Sequence, residues 1–230
     1  MLRALCLCIF ITVCQPVLAK TRLVDYYSNS VEYLNYEGTN ALMVNYEGFR
    51  ASVGNHNSEG WDYDYGSVGY TYWADNYMAG ANYYQSSTGL KQGLVYGSYT
   101  LGTTTFGASY NHLDDKAWAY KSDKATISVA HIHNIGNFYV RGAMYGEFLD
   151  DVYDSYNSIF LSAGGGYNYD KLSVYASVRG EMDLYGAEGV GTTAGVSYII
   201  DRIKLSGMYY HTSRDLLKTD YFGVMVSFLF

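Results

Sequence analysis

The stretch Tyr221-Phe222-Gly223-Val224-Met225-Val226-Ser227-Phe228-Leu229-Phe230 alternates with the period of a β-strand. Phe222, Val224, Val226, Phe228 and Phe230 share one face, and Tyr221, Gly223, Met225, Ser227 and Leu229 share the other. The first face is wholly apolar, and the strand runs off the chain on an aromatic residue. In water such an edge is a template for aggregation. The pattern therefore points to a strand that is paired and faces lipid.

The other end of the sequence agrees. Met1 and Leu2 precede one basic residue, Arg3, then an apolar run from Ala4 to Val13 and the segment Gln15-Pro16-Val17-Leu18-Ala19 before Lys20. This is the layout of a secretory signal, with cleavage expected after Ala19. The run is too short to cross a bilayer as a helix. A lipoprotein signal through Cys14 is the weaker alternative, because bulky Val13 stands where a small residue is wanted. The reading divides the chain into a cleaved signal peptide at 1–19 and a single domain at 20–230.

Cys6, Cys8, Cys14 and Pro16 all lie in that signal, so the mature chain has neither cysteine nor proline. Disulfide frameworks and cysteine metal sites are thereby excluded. The lack of proline suits a chain that is nearly all paired strand, since proline cannot donate to a ladder. The signal carries one positive charge, Arg3, so its removal takes the formal net charge from -7 to -8. An acidic chain without basic runs argues against nucleic acid as a partner. The 28 tyrosines and 25 glycines fit a membrane barrel, in which tyrosine forms girdles at the two interfaces and glycine relieves crowding where strands bend. A soluble Tyr-rich β-sandwich is the alternative, and it would need polar outer faces.

No stretch after Lys20 is long and apolar enough for a membrane helix, so lipid can be crossed only by a closed sheet. Five strand pairs with tight turns are legible: 67–73 into 77–84 at Ala74-Asp75-Asn76, 93–100 into 105–111 near Gly102, 125–133 into 138–148 at 134–137, 158–168 into 172–182 at Asp170-Lys171, and 192–200 into 203–212 at Asp201-Arg202. Near the start, Asn35-Tyr36-Glu37-Gly38 recurs as Asn45-Tyr46-Glu47-Gly48, and the apolar phase flips from Leu42, Val44 and Tyr46 to Phe49, Ala51 and Val53. A flip of phase marks a turn or a bulge. Reading Glu47-Gly48 as a turn, with an opening strand ending near Tyr36, gives an all-β, closed antiparallel transmembrane barrel of fourteen strands. Its short turns and both termini are expected on the periplasmic side. The alternative is twelve strands, with 20–46 as an extension.

Alternation also assigns the charges. With Leu172, Val174, Ala176 and Val178 on lipid, Ser173, Tyr175, Ser177, Arg179 and Glu181 turn inward. With Phe138, Val140, Gly142, Met144 and Phe148 outward, Tyr139, Arg141, Tyr145 and Glu147 face the lumen. An arginine on lipid near the midplane costs about 2–4 kcal/mol, which decides the direction. Arg50, Arg141, Arg179 and Lys204 are candidate lumen cations, and Glu147 and Glu181 candidate lumen anions. They would either set ion selectivity or brace the wall as a salt-bridge network. Gly164, Gly166, Ser162, Ser173 and Ser177 leave space inside, while Tyr139, Tyr145 and Tyr175 are expected to narrow it.

Leu113-Asp114-Asp115 and Leu149-Asp150-Asp151 repeat a motif, and Asp62, Asp64, Asp154, Glu188, Asp215 and Asp220 add carboxylates to what read as extracellular loops. A solvated rim is favoured over a bridge of divalent cations to lipopolysaccharide. No metal site and no cofactor is expected. A rim hydrolase would draw on His56, His112 or His211, with Asp114 and Asp115 near His112 and with Ser213 and Asp215 near His211. Such sets arise often by chance, and no catalytic residue is assigned. His131 and His133 share a face near a turn, where interfacial packing is favoured over metal.

The terminal Phe230, with Phe228 and Val226 at the third and fifth positions from the end, resembles the C-terminal insertion signal of Gram-negative outer-membrane β-barrels. Segments such as Gly66-Ser67-Val68-Gly69-Tyr70-Thr71-Tyr72 and Phe106-Gly107-Ala108-Ser109-Tyr110 are similar to the strand repeats of Tyr- and Gly-rich porin-type proteins of alphaproteobacteria. The resemblance implies an outer-membrane channel for passive diffusion of ions or small polar solutes, inserted by the barrel-assembly machinery and surrounded by lipid and lipopolysaccharide. A plugged, non-conducting surface barrel is the alternative. The chain departs from general trimeric porins, which have sixteen strands and a long third loop folded into the pore. Its longest loop reads as His112 to Asp123, so a monomer is favoured.

Overall fold

Glu47 and Gly48 both take positive φ, 44° and 87°, the signature of a two-residue type I′ hairpin turn. That turn resolves the strand count in a computed structural model that describes residues 29–36, 39–58, 61–117, 119–153, 155–183, 188–214 and 217–230. The expected signal peptide at 1–19 lies outside the described residues. Fourteen strands follow one another: β1 Ser30–Tyr36, β2 Thr39–Tyr46, β3 Phe49–Ser58, β4 Trp61–Trp73, β5 Tyr77–Ser86, β6 Leu90–Leu101 and β7 Thr104–Asp115; then β8 Tyr120–Ile135, β9 Phe138–Asp151, β10 Ser155–Tyr169, β11 Leu172–Asp183, β12 Glu188–Ile200, β13 Ile203–Arg214 and β14 Leu217–Leu229. Each pairs antiparallel with its sequence neighbours, and β1 closes the ring on β14, with Ser30 opposite Leu229 and Tyr36 opposite Gly223. Residues 30–36 and 39–46 are thus wall rather than an extension, and the barrel has fourteen strands, not twelve.

The short turns fall where the sequence puts them. Asp170, Asp201, Gly102 and Gly136 carry the positive φ that tight hairpins need. The other ends differ from expectation. Segments read as longer polar loops continue the ladder instead: β7 runs to Asp115 and β8 starts at Tyr120, so the segment 112–123 is mostly strand. Every connection in the barrel is two to four residues. Backbone pairing explains the difference, because a strand that leaves the membrane keeps its ladder as long as its neighbour does. The wall is uneven as a result, with 16, 14 and 15 residues in β8, β9 and β10 against 7 and 8 in β1 and β2.

Burial follows the alternation. Val140, Met144, Val174, Val178, Val196, Val224, Val226 and Phe228 are exposed on the outer face. Tyr33, Tyr70, Tyr72, Tyr99, Tyr110, Tyr169 and Tyr198 are exposed with them. Inside lie Ser30, Glu32, Gln92, Asn111, Lys124, Thr126, Ser158 and Ser227, all buried against neighbouring side chains. Leu34, Met43, Met78, Leu94, Leu113, Ile132 and Phe160 are buried on the same inner face, and the apolar outside around this mixed interior defines a barrel that sits in lipid.

Candidate functional site: the lumen

Fourteen strands about 4.8 Å apart and tilted about 40° enclose a backbone-to-backbone diameter of about 28 Å. A connection of four residues reaches about 14 Å at full extension and cannot cross that bore and return. Among the described residues, what fills or frees the lumen is therefore decided by inward side chains.

Large inward rings lie along the wall. Tyr65, Tyr96, Tyr139 and Tyr175 each stand directly opposite a glycine on the next strand: Gly54, Gly80, Gly166 and Gly195. A Cβ added to Gly54 would come within 2.7 Å of the Tyr65 ring, and one added to Gly166 within 2.6 Å of the Tyr139 ring. The rings thus occupy the space that a side chain on the facing strand would take. Tyr65 crosses Gly54 to pack on Leu34, Ala41 and Met43, and the Tyr96 hydroxyl crosses Gly80 to hydrogen-bond Thr71. Tyr145 stacks on its cross-strand partner Phe160, with centroids 5.2 Å apart and planes 19° apart. Tyr139, Tyr145 and Tyr175 were expected to narrow the bore. Glycine opposite gives the rings of Tyr139 and Tyr175 a place to lie along the wall, and Phe160 gives one to Tyr145.

The candidate charges all take inward register positions. Arg50 faces Asn45 and Gly69 across its ladders and donates to Met43 Sδ at 3.0 Å. Arg141 lies opposite Ile132 and Gly164. Arg179 lies opposite Ser162 and Gly191, with its guanidinium 4.9 Å from the centroid of the Phe160 ring, a cation–π contact. Lys204 faces Ser227 and Ile199, and Glu181 faces Phe160 and Gly189. The six residues sit on four strands, β3, β9, β11 and β13, at different positions along the wall.

Three features escaped the sequence reading. Lys124 Nζ lies 3.4 Å from Glu147 Oε1, with side-chain exposures of 5% and 18%, so this anion is paired across the β8–β9 ladder. Lys124 fell just outside the strand read from 125, although the alternation of Thr126 and Ser128 against Ile127 would have reached it. Glu32 is buried and accepts from Ser30 Oγ at 2.9 Å and Asn45 Nδ2 at 3.1 Å. In each Leu-Asp-Asp motif the Leu and the second Asp point inward and the first Asp outward. Asp151 accepts from the Tyr120 hydroxyl at 3.0 Å, and Asp114 stands outside, 4.0 Å from Lys121.

The histidines are not gathered. His56 is inward and buried, bonded to Thr39 Oγ1 at 2.8 Å. His112 and His211 are outward, on β7 and β13, six strands apart. Each pairs through Nδ1 with an aspartate directly across its ladder, His112 with Asp123 and His211 with Asp220, both at 2.8 Å. Their partners are thus not the aspartates nearest in sequence. Tyr110 and Tyr209 add their hydroxyls to the same carboxylate oxygens. His131, also outward, bonds Thr104 at 3.0 Å. Among the described residues no three His, Cys, Asp or Glu side chains come together as a metal site. Asp62, Asp64 and Asp220 lie on strands, while Asp154, Asp215 and the Glu188 side chain lie outside the described residues.

The apolar exterior and the closed antiparallel ring of fourteen strands define a transmembrane β-barrel of porin-like fold. Solved structures bear the same architecture. A bacterial polysaccharide outer membrane secretin aligns with a TM-score of 0.67 at 9% identity over 89% of this chain and 99% of its own. A loop-deletion form of OmpT, an outer membrane protein of Vibrio cholerae, aligns at 0.51 and 15% identity over 88% and 97%. The KdgM porin in complex with disordered oligogalacturonate aligns at 0.51 and 9% identity over 88% and 99%. At these identities the likeness is one of fold. No family model matches the sequence, and no curated protein matches it.

Proposed function

We propose that the protein is an outer-membrane channel for passive diffusion of ions and small polar solutes. The observation that carries this reading is the paved lumen: inward tyrosines lie on glycines, and every connection is too short to plug the bore. Charged side chains at several heights then act on whatever passes. The role is one of transport and not of hydrolysis, a reading supported by the separation of His56, His112 and His211. The C-terminal face of Val226, Phe228 and Phe230 serves the barrel-assembly machinery, and lipid and lipopolysaccharide cover the outer wall. The monomer is the functional unit in this reading, and residues 1–19 are its export signal.

Liposome swelling tests it. Vesicles carrying the refolded protein should admit small sugars and amino acids at rates that fall with solute size. Vesicles that stay impermeable, with the barrel correctly folded, would move the reading to a surface or structural barrel.

A second reading is that the solutes include saccharide chains. The names of two similar structures, a polysaccharide secretin and a porin with oligogalacturonate, support it, as do ring faces laid along the bore. Linear oligosaccharides should then swell vesicles faster than polyols of equal mass.

A further inference from the structure

The barrel wall is not equally high all round. β1 ends at Tyr36, opposite Gly223, and β2 begins at Thr39, opposite His56. The strands on either side go on: β14 extends past Gly223 through Phe222 to Leu217, and β3 past His56 to Ser58. The connection from β1 to β2 is two residues, enough to join adjacent strands and no more. At the end opposite the chain termini no described strand stands between β14 and β3 above Tyr36 and Thr39, and the wall has a notch there. Three strand spacings of about 4.8 Å make it about 14 Å wide from backbone to backbone.

The rim of the notch is polar. The Phe230 amide donates to Asn29 O on the β1 side, and the Leu229 amide to Arg202 O on the β13 side. By alternation the N–H and C=O of Phe222, Asp220 and Lys218 are directed into the notch, where no described strand meets them. Hydrocarbon does not tolerate an open sheet edge. Yet Phe222 turns its ring outward, 73% exposed, so the open edge begins at the level of a lipid-facing ring. The outer face below the notch is polar as well. Asn35, Asn40 and Asn55 stand side by side on β1, β2 and β3, and Asn35 is the register partner of Val224, which faces lipid. Asn40 accepts from Asn35 Nδ2 at 2.7 Å and from the Tyr33 hydroxyl at 2.9 Å, and donates to Asn55 Oδ1 at 3.2 Å. A strand edge and a carboxamide row, two independent features, thus call for water or polar groups at a depth where β14 meets lipid.

We propose that the notch is a side door, a water-filled lateral opening that joins the lumen to the headgroup layer of the outer leaflet and passes small, uncharged, hydroxyl-bearing solutes. The rim selects that class, because carboxamides, backbone amides and the Tyr33 hydroxyl are neutral donors and acceptors, and Asp220 is held by Tyr209 and His211. The inference rests on the channel reading and adds a second route into the same bore.

Residues 20–230 contain no cysteine, so single introduced thiols test the door in proteoliposomes. N35C and N40C should react with a charged, membrane-impermeant thiol reagent at least about tenfold faster than V178C, which faces lipid on the opposite wall. A bulky polar maleimide on N40C should then slow swelling in a small polyol about twofold. Heat-modifiable migration on gels would verify that each variant is folded. In the unmodified protein, hydrogen exchange should be fast at the amides of Asp220 and Phe222 and slow at those of Val224 and Val226, which are paired to β1. N35C and N40C as inert as V178C, or protected amides at 220 and 222, would overturn the inference and leave the channel reading standing. Disulfide-linked dimers of N40C would put a second copy in the notch and overturn it equally. Swelling unchanged by the maleimide would show that no solute uses the door. Unmodified barrel that is folded and impermeable would overturn both the door and the channel.

Discussion

The ring of Tyr175 lies on Gly195, its directly opposed partner on the next strand, so closely that an added Cβ would stand 2.5 Å from the ring carbon Cζ. Neither residue has this role by itself. Glycine in a strand costs stability, and an inward tyrosine obstructs a bore. Together the ring covers the bare backbone and lies along the wall. Gly195→Ala should therefore lift the ring, destabilise the barrel by about 1–3 kcal/mol and lower conductance. Gly142→Ala and Gly180→Ala, on the outer face with nothing within 4 Å of the added carbon, should be neutral or slightly stabilising. Urea titration of the refolded variants checks both expectations.

The two faces of β11 make a paired prediction. Val178→Arg puts a charge on lipid and should cost about 2–4 kcal/mol if it lies near the midplane. Ser177→Arg, one residue away and inward, should leave unfolding nearly unchanged and shift ion selectivity. Reversal potentials in a salt gradient, measured beside unfolding curves, separate the two effects.

Lys124 and Glu147 form an enclosed ion pair on the inner face, at 3.4 Å. Glu147→Gln leaves the buried ammonium without its counter-charge and should destabilise by about 1–3 kcal/mol. Lys124→Met with Glu147→Gln should recover part of that loss, because no buried charge then remains unpaired. Thermal unfolding of the single and double variants gives the answer.

Phe230 is outward and half exposed, and its amide donates to Asn29 O at 2.9 Å, so it holds the seam between the first and last strands. Deleting it should slow assembly in cells more than it lowers the stability of barrel refolded in detergent. Pulse-chase recovery of heat-modifiable barrel, compared with an in vitro unfolding curve, tests this. Equal effects in both assays would make Phe230 a packing residue only.

Much of this architecture was legible because a barrel in lipid is governed by a period of two. Alternation at Leu172–Met182 and Phe138–Phe148 assigned both faces correctly, and the phase flip at Tyr46–Phe49 marked the turn that fixes fourteen strands. Strand ends were less legible. Beyond the membrane both faces turn polar, so 112–115 and 120–124 lost their pattern while keeping their ladder, and Lys124, Asp115 and Asp151 were missed as lumen groups. The resting place of the tyrosines was hidden for another reason. Whether a ring blocks or paves depends on which residue stands opposite it, and the register that brings Gly166 to Tyr139 belongs to the folded sheet.

Single-channel conductance of the refolded mature protein in a planar bilayer tests the central claim most directly, with Arg141→Ala and Arg179→Ala as companions. An open, paved bore predicts discrete, steady conductance steps whose ion selectivity shifts in the two variants. Correctly folded protein that inserts and stays silent would contradict it.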